Sequence, residues 1–195
     1  MILIINNHSK NIPLIENILK KNKVAYDIKD QKTMLKSIDE SRYNGIILSG
    51  GIPVLDKEIH FNTIRADIAC LINCDVPILG ICVGHEIIGA ACGAELIKLK
   101  THSWIPDLKI KILEKTGIFK GLPDEIIAYE HHSRYLKNVP SDLIVAASSR
   151  KDRIEAIFHR KRSIFGLQFH PEKSGKHGEK IFKNFLDICY RSARD

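Results

Sequence analysis

The chain has 195 residues, 44% of them apolar and 27% charged, the size and balance of one globular domain with room for a sizeable core. Its formal charge is +7, but the lysines are scattered and form no long basic run, so the charge reads as a basic surface suited to anionic substrates and not as a nucleic-acid interface. Five cysteines at irregular spacing fit neither a disulfide framework nor a zinc site, no apolar run approaches the roughly 18 residues of a membrane span, and MILIINNHSK lacks the basic leader of a secretory signal; the sequence predicts a soluble, cytoplasmic protein with no membrane or nucleic-acid partner.

In chain order, ILIIN (2–6) reads as a fully buried strand, and IPLIENILKKN follows with Leu14, Ile15, Ile18 and Leu19 on one helical face. VAYDI is a second strand, and GIILSGG a third that runs into glycines. The segment from Lys57 to Ile72 has helical spacing at Ile59, Ile64, Ile68 and Leu71. VPILGI is a strand, and HEIIGAACG a helix closed by glycine. Short buried strands alternating with amphipathic helices predict a parallel sheet covered by helices. Beyond Gly93 the pattern changes: LKIKIL, DLIVAAS, IEAIFH and SIFGLQF read as strands joined by turns, a small antiparallel extension. A last helix runs from Gly178 to Tyr190, with Ile181, Phe182, Phe185, Leu186 and Cys189 on one side. The expected fold is α/β, a mostly parallel central sheet flanked by helices, as one domain over residues 1–195, without repeats or low-complexity segments.

Cys82 stands just past the strand PILGI, bracketed by Gly80 and Gly84 as G-x-C-x-G. In open α/β sheets, sites form beyond the carboxyl ends of the strands. A sharp strand-to-helix turn holds a nucleophile in strained backbone, and small neighbours allow the close approach that such a turn needs. The sulfur then sits at a helix N-terminus, which favours thiolate, and the next amide, that of Val83, is placed to donate to an oxyanion. Cys70, Cys74, Cys92 and Cys189 lie in apolar helical patterns and read as small buried hydrophobes.

A nucleophilic cysteine needs a base. In GLQFHPE, His170 follows a strand-like run and precedes Pro171, so it lies at a strand end, with Glu172 two residues on. A neutral imidazole can take the thiol proton and return one to a leaving amine, and a nearby carboxylate fixes its tautomer.

G-I-C-x-G-H together with Q-F-H-P-E resembles the class I glutamine amidotransferases of the Cys-His-Glu type, and the likeness extends from the first strand to the final KIFKNFL. The resemblance implies that Cys82 attacks the carboxamide of glutamine, that His170 protonates the departing ammonia, and that Glu172 orients His170. It implies an oxyanion hole from the amides of Val83 and of the Ser49-Gly50-Gly51 loop, with Gly51 the donor and Gly50 beside the substrate. In EHHSRYL, His132 and Ser133 would fill the family's contacts to the glutamine α-carboxylate and amine, with the register between His131 and His132 open; a solvated loop is the alternative for that stretch. One residue departs from the pattern. The family reads G-I-C-x-G-H-Q, whose Gln helps hold the substrate, and this chain has Glu86. An ionised carboxylate only accepts hydrogen bonds, so Glu86 would either hold the substrate ammonium, or be protonated in a closed site, or redirect the substrate. His85 reads as support for the turn.

Glutaminases of this class pass ammonia to a synthetase. The chain has no P-loop and no dinucleotide fingerprint, so the expected acceptor enzyme is a separate ATP-dependent synthetase subunit. ATP and magnesium would act on that partner, with no cofactor or metal in this chain. The LSGG loop looks like that of the glutaminase subunit of two-subunit GMP synthases and lacks the S-P-G-P-G of anthranilate and aminodeoxychorismate synthase glutaminases, whereas HHS is closer to the latter. A stand-alone γ-glutamyl hydrolase and a non-catalytic module on the same fold are the other readings.

Overall fold

The computed structural model describes residues 1–34, 38–51 and 63–191. They build a nine-stranded sheet in the order β2-β1-β3-β4-β9-β8-β7-β5-β6. Its first half is parallel: β1 (Ile2–Asn7) lies between β2 (Tyr26–Asp30) and β3 (Gly45–Gly51), and β4 (Ile78–Ile81) joins β3 to β9 (Ile164–Leu167). β1, β3, β4 and β9 are buried almost throughout, as expected of strands covered on both faces. The second half is antiparallel and consists of β8 (Arg153–His159), β7 (Leu143–Ser149), β5 (Glu95–Ile112) and β6 (Glu125–Lys137). β6 is the strand that the sequence did not announce. EHHSRYL is not a solvated loop, because it lies within β6 and alternates buried and open positions along the pleat.

Among the described residues four helices cover the sheet. α1 (Ile12–Lys21) carries Pro13 in its first turn and Lys20 and Lys21 in its last, both favourable placements. Its buried face is Ile12, Ile15 and Leu19; Leu14, expected inside, is 37% exposed, since Ile12 takes the inward position one turn before Ile15. α2 spans Arg65–Asn73, so the helix expected from Lys57 starts later, and positions 57–62 of that expectation lie outside the described residues. α3 (Val83–Ala91) is buried from Val83 to Gly89. It ends where Gly93 adopts φ +97 and the Ala94 amide donates to the Gly89 carbonyl at 2.9 Å, a left-handed helix stop that glycine makes without strain. α4 (Gly175–Arg191) buries Ile181, Phe182, Phe185, Leu186 and Cys189, the face read from the sequence. Among the described residues no helix is long and apolar enough to cross a membrane.

The chain leaves β1 for the sheet edge at β2 and returns to the other side of β1 as β3. This reversal opens a crevice beyond the carboxyl ends of the parallel strands. Chain segments leaving β1, β3, β4 and β9 converge there. The crevice is closed on one side by β6, which bridges to the segment after β9 at Tyr129 and His170.

Candidate active site

Cys82 links β4 directly to α3 and has φ 51 and ψ −101. An L-residue is strained in this left-handed region, and the surroundings explain how the turn is held. A Cβ on Gly80 would lie 2.6 Å from the Gly84 carbonyl, and one on Gly84 would lie 2.3 Å from the Leu48 carbonyl of β3. Both glycines of G-x-C-x-G therefore let α3 sit directly on the sheet. The Cys82 amide donates to the Leu167 carbonyl of β9 at 2.7 Å, which fixes the turn from the opposite strand.

His170 is presented by β9 through a short turn. Its amide donates to the Tyr129 carbonyl of β6 at 2.8 Å, and the Ser174 hydroxyl donates to its carbonyl at 2.7 Å. Its Nδ1–H donates to Glu172 Oε1 at 2.7 Å, with the His170 and Glu172 side chains 6% and 1% exposed. That bond leaves Nε2 for the thiol, and Cys82 and His170 line the same cavity. The structure thus brings Cys82, His170 and Glu172 together from segments some ninety residues apart. Burial opposes charge on His170, but its hydrogen bonds to Cys82 and Glu172 and the charge of Glu172 outweigh this and hold it well above 6.5. Burial pushes the Cys82 thiol up, and His170 opposes the rise only in part. The thiol also donates to the His131 carbonyl at 3.7 Å.

Two cavities meet at the sulfur. The larger, about 380 Å³, is lined by His8, Asn11, Gly51, Tyr129, His131, His170 and Lys173 together with Cys82. The smaller, about 60 Å³, is lined by Gly51, Cys82, Val83, Glu86, His131, His132 and Ser133. Gly51 and Val83 thus line the small cavity together with Cys82, and Val83 opens α3, where helix amides have no partner within the helix. Gly50 lines neither cavity; a Cβ on it would lie 3.1 Å from His170 Cε1 and 3.4 Å from Cys82 Cβ, so it gives the imidazole room beside the thiol. The ends of β1 and β3 are tied below this loop by Asn7, whose Nδ2 donates to the Ser49 carbonyl and to Asp67 Oδ1 at 2.9 Å each.

The two histidines of EHHSRYL face opposite ways along the pleat. His131 is exposed beside the thiol and lies at a tilt to His102, ring centroids 5.8 Å apart. His132 points inward, with Nε2 3.1 Å from Glu130 Oε1, and Ser133 lines the small cavity. Glu86 faces the same cavity from α3 and accepts a bond from Gln168 Nε2 at 3.3 Å, while its Oε2 has no hydrogen-bond partner. Burial raises Glu86, with partial opposition from Gln168, His132 and Arg134. His85 is wholly buried, which lowers it to about 3; it packs where a Cβ on Gly166 would come within 2.8 Å of Nδ1. It is a neutral support. Tyr129, Lys173 and Asn11 also line the larger cavity. Nothing in the sequence pointed to Tyr129, because its strand was not recognised. Lys173 adjoins H-P-E directly, its ammonium 4.2 Å from the Tyr129 ring centroid.

The arrangement suits attack by a thiol on a carbonyl, with a general acid for the leaving group and backbone donors for the oxyanion. The glutamine amidotransferase class-I family matches residues 3–189. The chain belongs to this family. Similar proteins include a glutamine-hydrolysing GMP synthase subunit from Methanococcus maripaludis, 36% identical over 191 residues and covering 97% of each chain. The corresponding GMP synthase subunit of Methanopyrus kandleri is 34% identical over 190 residues, 97% of this chain and 98% of that one. A solved structure from Thermoplasma acidophilum, named for a subunit of GMP synthase, superposes with TM-score 0.88 at 31% identity, covering 99% of this chain and 96% of the other.

Proposed function

We propose that this amidotransferase is the glutaminase subunit of a two-subunit GMP synthase. The observation that carries the chemistry is the Cys82 thiol, strained at the head of α3 and sharing a cavity with a His170 that Glu172 holds by Nδ1. Cys82 passes its proton to His170 and attacks the carboxamide carbon of glutamine. The oxyanion takes hydrogen bonds from the amides of Gly51 and Val83. The C–N bond breaks as His170 protonates the nitrogen, ammonia leaves, and a γ-glutamyl thioester remains on Cys82. Water, deprotonated by His170, hydrolyses the thioester to glutamate and returns the thiol. Glu86, His132 and Ser133 line the recess for the glutamine head group, with Gly50 leaving room between His170 and Cys82.

The acceptor assignment is supported by relatives named as GMP synthase subunits that match this chain over nearly their full length. On this reading residues 1–195 form one amidotransferase domain in the cytoplasm, the ammonia goes to XMP on a separate synthetase subunit, and ATP and magnesium act there, with no cofactor in this chain. The test is release of ammonia and glutamate from glutamine, alone and with a GMP synthetase subunit plus XMP and ATP-Mg, with Cys82→Ala as control. The expected result is Cys82-dependent release that rises when the partner and its nucleotides are present. Release indifferent to that partner would count against the GMP synthase assignment and favour another acceptor or a stand-alone γ-glutamyl hydrolase.

A further inference from the structure

The geometry points to Asn11 as a positioning residue of the Cys82–His170–Glu172 site, acting through Glu172. Asn11 is the first flanking residue of α1, a position where Asn ordinarily caps the helix with its side chain. Its side chain makes no such bond. Its Nδ2 instead donates to Glu172 Oε1 at 3.0 Å, across 161 positions of sequence. The same oxygen accepts the Nδ1–H of His170 at 2.7 Å. The reverse orientation of the carboxamide would set its oxygen against a carboxylate oxygen, so the donor assignment follows from chemistry. Asn11 Nδ2 is also 3.2 Å from His170 Nδ1, but both are donors once Nδ1 carries the proton held by Glu172.

The loop that presents Asn11 is itself fixed. Ser9 donates its amide to Asn6 Oδ1 at 3.0 Å, and the Asn11 amide donates to Ser9 Oγ at 3.1 Å. A carboxamide delivered in this way has two effects. It holds Glu172 in the orientation that selects the Nδ1–H tautomer of His170, and it withdraws part of the carboxylate charge that would otherwise hold His170 protonated. Other groups facing His170 are Cys82 from the β4–α3 turn, His8 and Lys10 from the β1–α1 loop, Tyr129 and His131 from β6, and Glu172 and Lys173 from its own turn, with Glu86 of α3 beyond Cys82.

The inference rests on the proposed roles of Cys82, His170 and Glu172, so its test includes a variant for those roles. The rate of Cys82 alkylation by iodoacetamide is followed against pH by mass spectrometry in the wild type, Asn11→Asp, Asn11→Ala and His170→Ala. If Asn11 merely served α1, Asp would replace it without consequence, since Asp caps as well as Asn. As a positioning residue, Asn11→Asp sets a second negative charge beside Glu172, and the alkylation limb moves upward by about one pH unit. Asn11→Ala lowers kcat for glutamine about tenfold, the scale of a lost hydrogen bond to a charged group, with KM within about twofold. Asn11 profiles that superpose on the wild type while His170→Ala departs from it overturn the inference alone, as does a rise in KM with kcat unchanged. A His170→Ala profile that also superposes removes the base assignment and this inference with it.

Discussion

Cys82 combines two costs, a left-handed backbone and a thiol buried beside a charged imidazole, and each yields a measurable consequence. Cys82→Ala is expected to abolish release of ammonia from glutamine while leaving the unfolding midpoint near wild type, because the methyl side chain retains the strained φ of 51. Cys82→Gly relieves that strain and should exceed Cys82→Ala in stability by about 1 kcal/mol in chemical denaturation. Residual glutamine hydrolysis in either variant would exclude the thiol mechanism. The pH dependence follows from the shifts of the pair. Cys82 and His170 are both raised, so the form with one proton fewer, which attacks, gains population only as pH rises past the ordinary imidazole value of 6.5. The acid limb of kcat/KM is therefore expected above pH 6.5; a limb below pH 6 would contradict the assignment. Glu86 gives a third residue-scale test. Its Oε2 is buried without a partner, and Glu86→Gln puts an amide donor there while keeping an acceptor for Gln168. The KM for glutamine should fall in this variant, because the amide supplies a donor that an ionised carboxylate lacks. A rise in KM would assign the acid a specific role in recognition.

At the scale of elements, β1 and β3 are locked together under the site by Asn7, Ser49 and Asp67, and the lock has a cost that depends on pH. Burial raises the Asp67 carboxyl from 3.8 to about 7, with the Asn7 bond only partly opposing. Between those values the folded chain keeps a proton that the unfolded chain has released, so stability falls as pH rises through the window and levels off above it. Asp67→Asn should remove that slope, with a gain over wild type on the order of a few kcal/mol at pH 8 and little change at pH 4. Denaturant titrations at the two pH values measure it, and an equal gain at both would mean that the carboxyl is not titrating in the fold. The same elements explain what the sequence disclosed. β1, β3, β4 and β9 were legible because both faces are covered, which leaves unbroken apolar runs such as ILII and IIL. Cys82, His170 and Glu172 were legible because glycine brackets and the His-Pro step are local signatures of a turn. β6 was not, because its inward positions include Glu130, His132 and Arg134, whose polar side chains erase the apolar alternation. Asn11 was hidden for a different reason: its partner is distant in sequence, and Asn before a helix already has an ordinary explanation.

In the molecule as a whole, one short strand joins the parallel and antiparallel halves. β9 has four residues, pairs with β4 on one side and β8 on the other, and leads into the turn that carries His170. Its Gly166 is opposite Gly80 in the register with β4 and opposite Ile157 in that with β8. A Cβ at position 166 would come within 2.8 Å of His85 Nδ1 and 2.9 Å of Ile157 Cγ1. His85 has no free direction in which to withdraw, since it is wholly buried in α3 three residues after the nucleophile. Gly166→Ala must therefore displace α3, β8 or β9, and overpacking of this kind costs about 1–3 kcal/mol. A shift of α3 or β9 changes the separation between the thiol at the head of α3 and the imidazole after β9, so the variant should lose thermal stability and glutaminase turnover together. Gly93→Ala is the contrasting case. Its Cβ would meet nothing within 4 Å, but its φ of +97 disfavours any side chain, so it should lose about 1 kcal/mol while kcat measured well below the unfolding midpoint stays near wild type. Unfolding midpoints and kcat of the two variants at one temperature decide the matter. Loss of stability in both variants, with loss of turnover in Gly166→Ala alone, is the expected pattern, and turnover that follows stability identically in both would mean that β9 serves the fold without setting the distance between nucleophile and base.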